Sequence, residues 1–345
     1  MATLKQRKEF WETLKSFDGK NITEEVKTIS AMVNKMSPAK LCRYRSVSPN
    51  NLEALRTNKL HFSTSDYYDD PFDTFLHIDT AVIRREIKSA MTTPSSFEML
   101  VFLKEKYGLT IPNEILAEIS KDTNFEFAFN NAKSYIQKNV RNVMRRTMQS
   151  ICFSESEYNE TLWLKYANDH KGFVQIYDMN DIKALICGTL TDCNKCPMGD
   201  RSFYFYPVYY SNKKYDATNF AKWYAAVLML KQIAVQCVLS ESTVNDMVKH
   251  FPQNVWEREK ITLIKKYCHH YDEEWRLLTA NFIQNSNNSK LYIKWIPSKL
   301  ILGLNMTESD KSLVASIALQ AGIKEVTEMY INDNDNLADK KYKRQ

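Results

Sequence analysis

The spacing of strand-like segments is the feature that most limits the fold. Short, β-rich apolar runs occur at 41–47, 60–63, 150–154, 172–177 and 203–210, and again at 274–282, 290–296, 299–304 and 323–331. Two long stretches between them, 75–148 and 216–266, carry helical periodicity. A doubly wound parallel sheet needs a helix between successive strands, so this grouping excludes it and predicts an α+β chain. Two amphipathic segments, 4–17 and 22–36, precede the first strand. The second places Ile22, Val26, Ile29, Val33 and Met36 on one face. Ser48-Pro49 has the form of a helix start, with Ser as cap and Pro in the first turn. The expected organisation is an N-terminal helical extension over 1–38, one α+β domain over 39–331 with helical insertions at about 75–148 and 216–266, and a polar tail over 332–345.

Glycine narrows the chemistry. Only 7 of 345 residues are glycine, and they stand apart at 19, 108, 172, 188, 199, 303 and 322. Neither Gly-x-Gly-x-x-Gly nor a Gly-rich loop ending in Lys-Ser/Thr can be written, which excludes the Rossmann and P-loop phosphate cradles as motifs. A nucleotide, if bound, must be held by side chains or helix ends. No apolar run approaches the roughly 18 residues of a membrane span. The seven cysteines are scattered and odd in number. The expectation is a soluble, cytoplasmic chain with reduced thiols and no membrane partner. The net charge of +6 allows only weak attraction to polyanions. Between Lys133 and Arg146 there are five basic residues and no acid, with Lys138, Arg141 and Arg145 at i, i+3 and i+7. On a helix that stripe is either a solvated face or a nucleic-acid or nucleotide surface.

Three constellations can carry chemistry. In Cys42-Arg43-Tyr44-Arg45, strand alternation puts Arg43 and Arg45 on one face and Tyr44 on the other. Two such arginines suit bidentate phosphate recognition or, alternatively, a salt-bridged edge strand. A helix expected over 160–169 aligns Trp163, Tyr166, Ala167 and His170, with Gly172 as its C-cap. Trp163 and Ala167 read as core, whereas Tyr166 and His170 carry polar groups able to reach a ligand. In Tyr271-Asp272-Glu273-Glu274-Trp275-Arg276, a strand places Glu274 and Arg276 on the same face. An acid heading an apolar strand is a place where burial tunes a carboxylate, or it is a structural Glu–Arg pair. Asp70 and Asp73 could join Glu274 around a divalent cation, although loop acids are more often turn formers. Cys193-x-x-Cys196 with Cys187 is half of a zinc signature, which Cys268-His269-His270 would complete only if the fold brought it close.

In order along the chain, these segments resemble the bacterial family catalogued as domain of unknown function 2971. The resemblance rests on Arg43-Tyr44-Arg45, Leu52, Leu55, Leu60, Phe62-Ser63, Asp69-Asp70-Pro71-Phe72-Asp73 and Cys152-Phe153-Ser154. It continues through Trp163, Tyr166-Ala167, His170, Gly172-Phe173 and Tyr271-Asp272 with Glu274-Trp275-Arg276, and so spans about 41–331. Asp69 and Asp272 stand where the family pattern has Asn and Glu. The motif order is also similar to that of ADP-ribosyltransferases, a likeness at the level of fold. It implies a split antiparallel β-sheet core with NAD in the cleft as substrate. By the same likeness Glu274, Tyr166 and His170 would be catalytic, and Arg43, Tyr44, Arg45, Trp163 and Arg276 would bind the dinucleotide. The acceptor would be protein, nucleic acid or water, and a toxin or phage-defence role fits the family type. The rival expectations are a metal-dependent nuclease using Asp70, Asp73 and Glu274, and a non-catalytic module that binds a nucleotide or a partner.

Overall fold

A computed structural model of the chain describes residues 2–92, 105–106, 108, 122–181, 205–236, 240–250, 253–278 and 292–343. The Ser95–Glu98 capping box and the cysteines at 187, 193 and 196 lie outside the described residues. The fold is α+β with a mostly antiparallel sheet. Its strands are β1 (Lys40–Arg45), β2 (Lys59–His61), β3 (Ser63–Thr64), β4 (Gln149–Ser154), β5 (Phe173–Asp178), β6 (Phe205–Pro207), β7 (Tyr209–Tyr210) and β8 (Ile264–Lys265). They continue with β9 (Glu274–Leu278), β10 (Tyr292–Lys294), β11 (Lys299–Leu302), β12 (Glu325–Ile331) and β13 (Leu337–Lys341).

The chain divides into two compact units, Met1–Asp73 with Thr147–Lys213 and Thr262–Gln345, and Thr74–Arg146 with Lys214–Ile261. The first unit holds a nine-stranded sheet in the order β13-β12-β11-β5-β1-β4-β9-β6, with β3 paired to β4. Every pairing in it is antiparallel except β11–β12, which a helix, Glu308–Gln320, connects. Thr307 caps that helix by accepting from the Asp310 amide. Two apolar clusters cover the central strands. Tyr44, Trp163, Val174, Ile176 and Ile301 form one. Leu55, Phe173, Leu300, Leu302 and Val314 form the other. Phe173 to Tyr177 are therefore buried without interruption, as befits a strand covered on both faces.

β1 and β5 pair along their whole length, Lys40↔Asp178 to Arg45↔Phe173. On its other side β1 meets β4 at one register pair only, Cys42↔Ser154. Beyond it the ladder stops, so among the described residues Arg43, Tyr44 and Arg45 have no strand partner on that side, and the sheet is split there.

Several local expectations change. The helix begins as expected at Ser48-Pro49, and Ser48 accepts from the Asn51 amide. The helix expected over 160–169 ends at Tyr166, after which Asn168, Asp169 and His170 all take left-handed backbone (φ 50, 54 and 63). Gly172 is consequently no helix cap. It is glycine because a Cβ there would stand 2.1 Å from the Arg45 carbonyl oxygen. At Gly303 a Cβ would stand 2.1 Å from the His170 carbonyl oxygen. The expected tail instead returns as β13, because Asn332 Oδ1 accepts from the Asn334 and Asn336 amides and turns the chain back onto β12.

The second unit is helical, with Thr80–Thr92, Asp122–Tyr135, Thr218–Gln236 and Glu241–His250 among its elements. A π-turn, Ile136–Val140, interrupts the basic stretch and rephases it. Arg141 leaves the expected stripe to donate to the Leu76 carbonyl (2.9 Å) and to cover the Phe75 ring.

Gly303→Ala is expected to destabilise the chain by about 3 kcal/mol or more, since the clashing atoms are backbone. Gly322→Ala faces open space but holds φ +89, and should cost only about 1–2 kcal/mol. Urea unfolding of both variants measures the difference.

Candidate functional site

The split in the sheet opens into a cavity of about 780 Å³ in the first unit. Its walls include Arg43 and Arg45 from β1, Cys152 from β4, Tyr166 at the helix end, and Lys265 and Glu274. Strand alternation alone would send Arg43 and Arg45 away from Cys42, yet both reach the cavity, because β1 separates from β4 just where they lie.

The two arginines are the electrostatic anomaly of the site. Neither forms an ion pair among the described residues, and Arg43 Nη1 is buried without a hydrogen-bond partner. Arg43 lies 5.8 Å from the centre of the Phe153 ring. Burial pushes both guanidinium groups below their ordinary value, Arg45 to about 9 with the Arg43 charge adding to the effect. Two like charges, each half-buried and sharing one cavity, repel one another, an unfavourable energy that an anion between them would offset.

The opposite wall is a closed network of charges. Asp73, from the loop after β3, receives both ends of the Arg276 fork, at 2.8 and 2.6 Å. The same guanidinium donates from Nε to Glu274 Oε1 (2.7 Å) and from Nη1 to the Thr262 carbonyl (2.7 Å). Lys265 Nζ donates to Asp272 (2.7 Å) and to Glu274 Oε2 (3.1 Å), and lies 3.7 Å from Asp73. Burial opposes ionisation of Glu274, but the Arg276 and Lys265 charges outweigh it and hold the carboxyl well below the usual range. The backbone is fixed too. Glu273 takes left-handed φ 44, and the Glu274 amide donates to the Tyr210 hydroxyl at 2.7 Å.

Burial and then the Glu274 charge push the Cys152 thiol up to about 12, which keeps it protonated at neutral pH. Tyr68 lines the same cavity, with its hydroxyl against Ser150 Oγ. Tyr166 is 41% exposed, and a second cavity of about 580 Å³ shares it with Arg45 and Lys165.

The structure thus brings Arg43, Arg45, Tyr166 and Glu274 to one cavity and leaves other expected residues out of it. Trp163 is fully buried, with its indole donating to the Glu157 carbonyl. His170 stacks flat on Trp163 at 5.6 Å and does not line the cavity, because the helix ends before it. Tyr44 contributes to the wall, but its hydroxyl donates to the Ser156 carbonyl and its ring belongs to the core. Arg276 gives four hydrogen bonds to protein acceptors, does not line the cavity, and lies behind Glu274. The expected cation site at Asp70, Asp73 and Glu274 is replaced by ion pairs, because Arg276 and Lys265 already hold the last two carboxylates. Among the described residues no group of three or more His, Cys, Asp or Glu is placed to bind a metal.

Lys265 and Tyr68 are functional-wall residues that sequence reasoning missed. Lys265 sits on a two-residue strand, too short for periodicity to register. Among the described residues no helix is long and apolar enough to cross a membrane. Comparison of the chain with protein-family models, with curated proteins and with solved structures returns no match.

Asp73→Asn should cost about 3–5 kcal/mol in urea unfolding, because it weakens the clamp on a buried cation. The pH dependence has a definite sign. The folded Glu274 carboxyl ionises below its ordinary 4.5, so its stabilisation is complete above that pH and is lost as pH falls below it. Glu274→Gln should flatten the decline in unfolding free energy measured from pH 5 to pH 3.

Proposed function

We propose that this chain is an ADP-ribosyltransferase-like enzyme that binds NAD in the split of the sheet and cleaves its nicotinamide–ribose bond. One observation carries the reading: two arginines without acidic partners among the described residues share a cavity with an ionised, rigidly held glutamate. A diphosphate supplies the anion that Arg43 and Arg45 lack, in a fork geometry suited to guanidinium. The ribose then lies towards Glu274. When the glycosidic bond breaks, its electron pair leaves with the nicotinamide nitrogen and C1′ takes on oxocarbenium character. Asp73, Asp272 and Glu274 set three carboxyl groups against the two cations Lys265 and Arg276, and the ionised Glu274 of that network would face the developing positive centre. Tyr166, exposed at the mouth, offers a face on which the nicotinamide ring can stack. The likeness to the domain of unknown function 2971 family and to ADP-ribosyltransferases rests on the same positions. The acceptor is protein, nucleic acid or water.

A second reading has its own support. Both Glu274 oxygens already accept from Arg276 and Lys265, a state suited to a module that binds a nucleotide without turning it over. Incubation with NAD separates the two: release of free nicotinamide supports the enzyme, whereas binding without release supports the module.

For the enzyme, Glu274→Gln should lower the rate of nicotinamide release by about 100-fold or more. Arg45→Ala should weaken NAD binding about 10- to 100-fold in calorimetry, the value of a lost charged hydrogen bond. Unchanged release by Glu274→Gln would remove that residue from the mechanism. Absence of NAD binding by the wild-type chain would overturn the whole reading.

A further inference from the structure

The N-terminal helix, Leu4–Ser16, sends one charged side chain into the strand that presents Glu274. Arg7 is 2% exposed, the more notable because an arginine normally keeps its head group in water. Its Nη1 donates to the Glu274 carbonyl oxygen at 2.8 Å and to the Val208 carbonyl oxygen at 3.0 Å. Its Nη2 donates to Glu155 Oε1 at 2.5 Å, within a buried ion pair. Glu155 accepts in turn from the Trp275 indole (2.6 Å), one residue beyond Glu274, and from the Ala2 amide (2.7 Å). The guanidinium also lies 5.8 Å from the Tyr210 ring centre, and it is the Tyr210 hydroxyl that receives the Glu274 amide.

Glu274 is thus held at every polar backbone atom. Its amide is fixed by Tyr210, and its carbonyl by Arg7 together with the Val208 amide (2.9 Å). This matters because the preceding residue, Glu273, is in left-handed backbone, which a non-glycine residue holds only where its surroundings enforce it. Glu274 begins β9 opposite Ser154 of β4, and the Glu273 amide before it donates to the His270 carbonyl at 3.3 Å, so the chain turns sharply just where the ladder starts. The Arg7 fork adds a charged restraint on the Glu274 carbonyl from a helix more than 260 residues away in sequence (|i−j| = 267).

We infer that Arg7 is a positioning residue for Glu274, which makes the N-terminal helix part of the reactive site. The inference rests on the proposed role of Glu274 in cleaving NAD. Arg7 touches no ligand in this account; it acts through the main chain of the residue that does. Lysine at this position keeps the charge but cannot span the Glu274 carbonyl, the Val208 carbonyl and Glu155 with one planar fork.

The test uses the full chain with Arg7→Lys and Arg7→Met, each checked for a cooperative thermal transition. Hydrogen exchange is then followed in peptides covering 272–278 and, as an internal reference, 299–302 and 325–331. The expected result is exchange about 10-fold or more faster over 272–278, with the reference strands unchanged. Nicotinamide release should show a kcat reduced about 10-fold or more with KM for NAD within about two-fold, and Arg7→Lys should recover less than half of the loss. Unchanged exchange over 272–278 in a folded variant overturns the inference, whether or not the chain cleaves NAD. Uniformly faster exchange across all three segments overturns it as well, because Arg7 would then be a general stabiliser. Altered local exchange in a chain whose wild type releases no nicotinamide keeps the mechanical link and overturns the cleavage of NAD alone. Should Arg7→Met lack a cooperative transition, Arg7→Lys decides by the same readings.

Discussion

The guanidinium of Arg276 is the interaction on which the rest of this unit depends. It is almost fully buried and binds Asp73, Glu274 and the Thr262 carbonyl. One side chain therefore joins the loop after β3, the head of β9 and the segment before β8. A buried cation of this kind is costly unless its donors and its charge are matched, and here a bidentate carboxylate, a second acid and a carbonyl take four hydrogen bonds from it. Lys265 repeats the logic one step outward, with Asp272 and the other oxygen of Glu274. The network fixes the ionisation and the orientation of Glu274 together.

Across the cavity the arrangement is reversed. Arg43 and Arg45 are half-buried with no ion-pair partner among the described residues, where β1 leaves β4 after a single register pair. The contrast between saturated charges on one wall and unmatched cations on the other gives the cavity its polarity. In the proposed nucleotide site of a chain with so few glycines, side chains would take the place of a backbone cradle. The scarce glycines serve packing instead, Gly172 against the Arg45 carbonyl and Gly303 against that of His170. They hold the β1 end and the left-handed turn at van der Waals distance.

Much of this was legible in the sequence, and the limits have physical causes. Alternation along 42–45 and along 274–276 correctly pairs Arg43 with Arg45 and Glu274 with Arg276, since strand periodicity is a local property. The partner of Arg276 is 203 residues away in Asp73, and no local pattern encodes that meeting. His170 was misplaced by extending the helix through Asn168 and Asp169, two residue types that tolerate left-handed backbone and here adopt it. The stripe of Lys138, Arg141 and Arg145 assumed an unbroken helix, and the π-turn at Ile136–Val140 shifts its phase. Arg7 gave no signal, because a basic residue on an amphipathic helix reads as solvated until its burial is seen.

The central claim is that the unmatched arginines and the clamped glutamate address the two ends of one ligand. A crystal structure of the chain with ADP-ribose tests this most directly. The account predicts the diphosphate oxygens within about 3 Å of the Arg43 and Arg45 guanidinium groups, with the terminal ribose facing Glu274. A diphosphate bound away from both arginines, or a ribose turned from Glu274 with its network undisturbed, would contradict it.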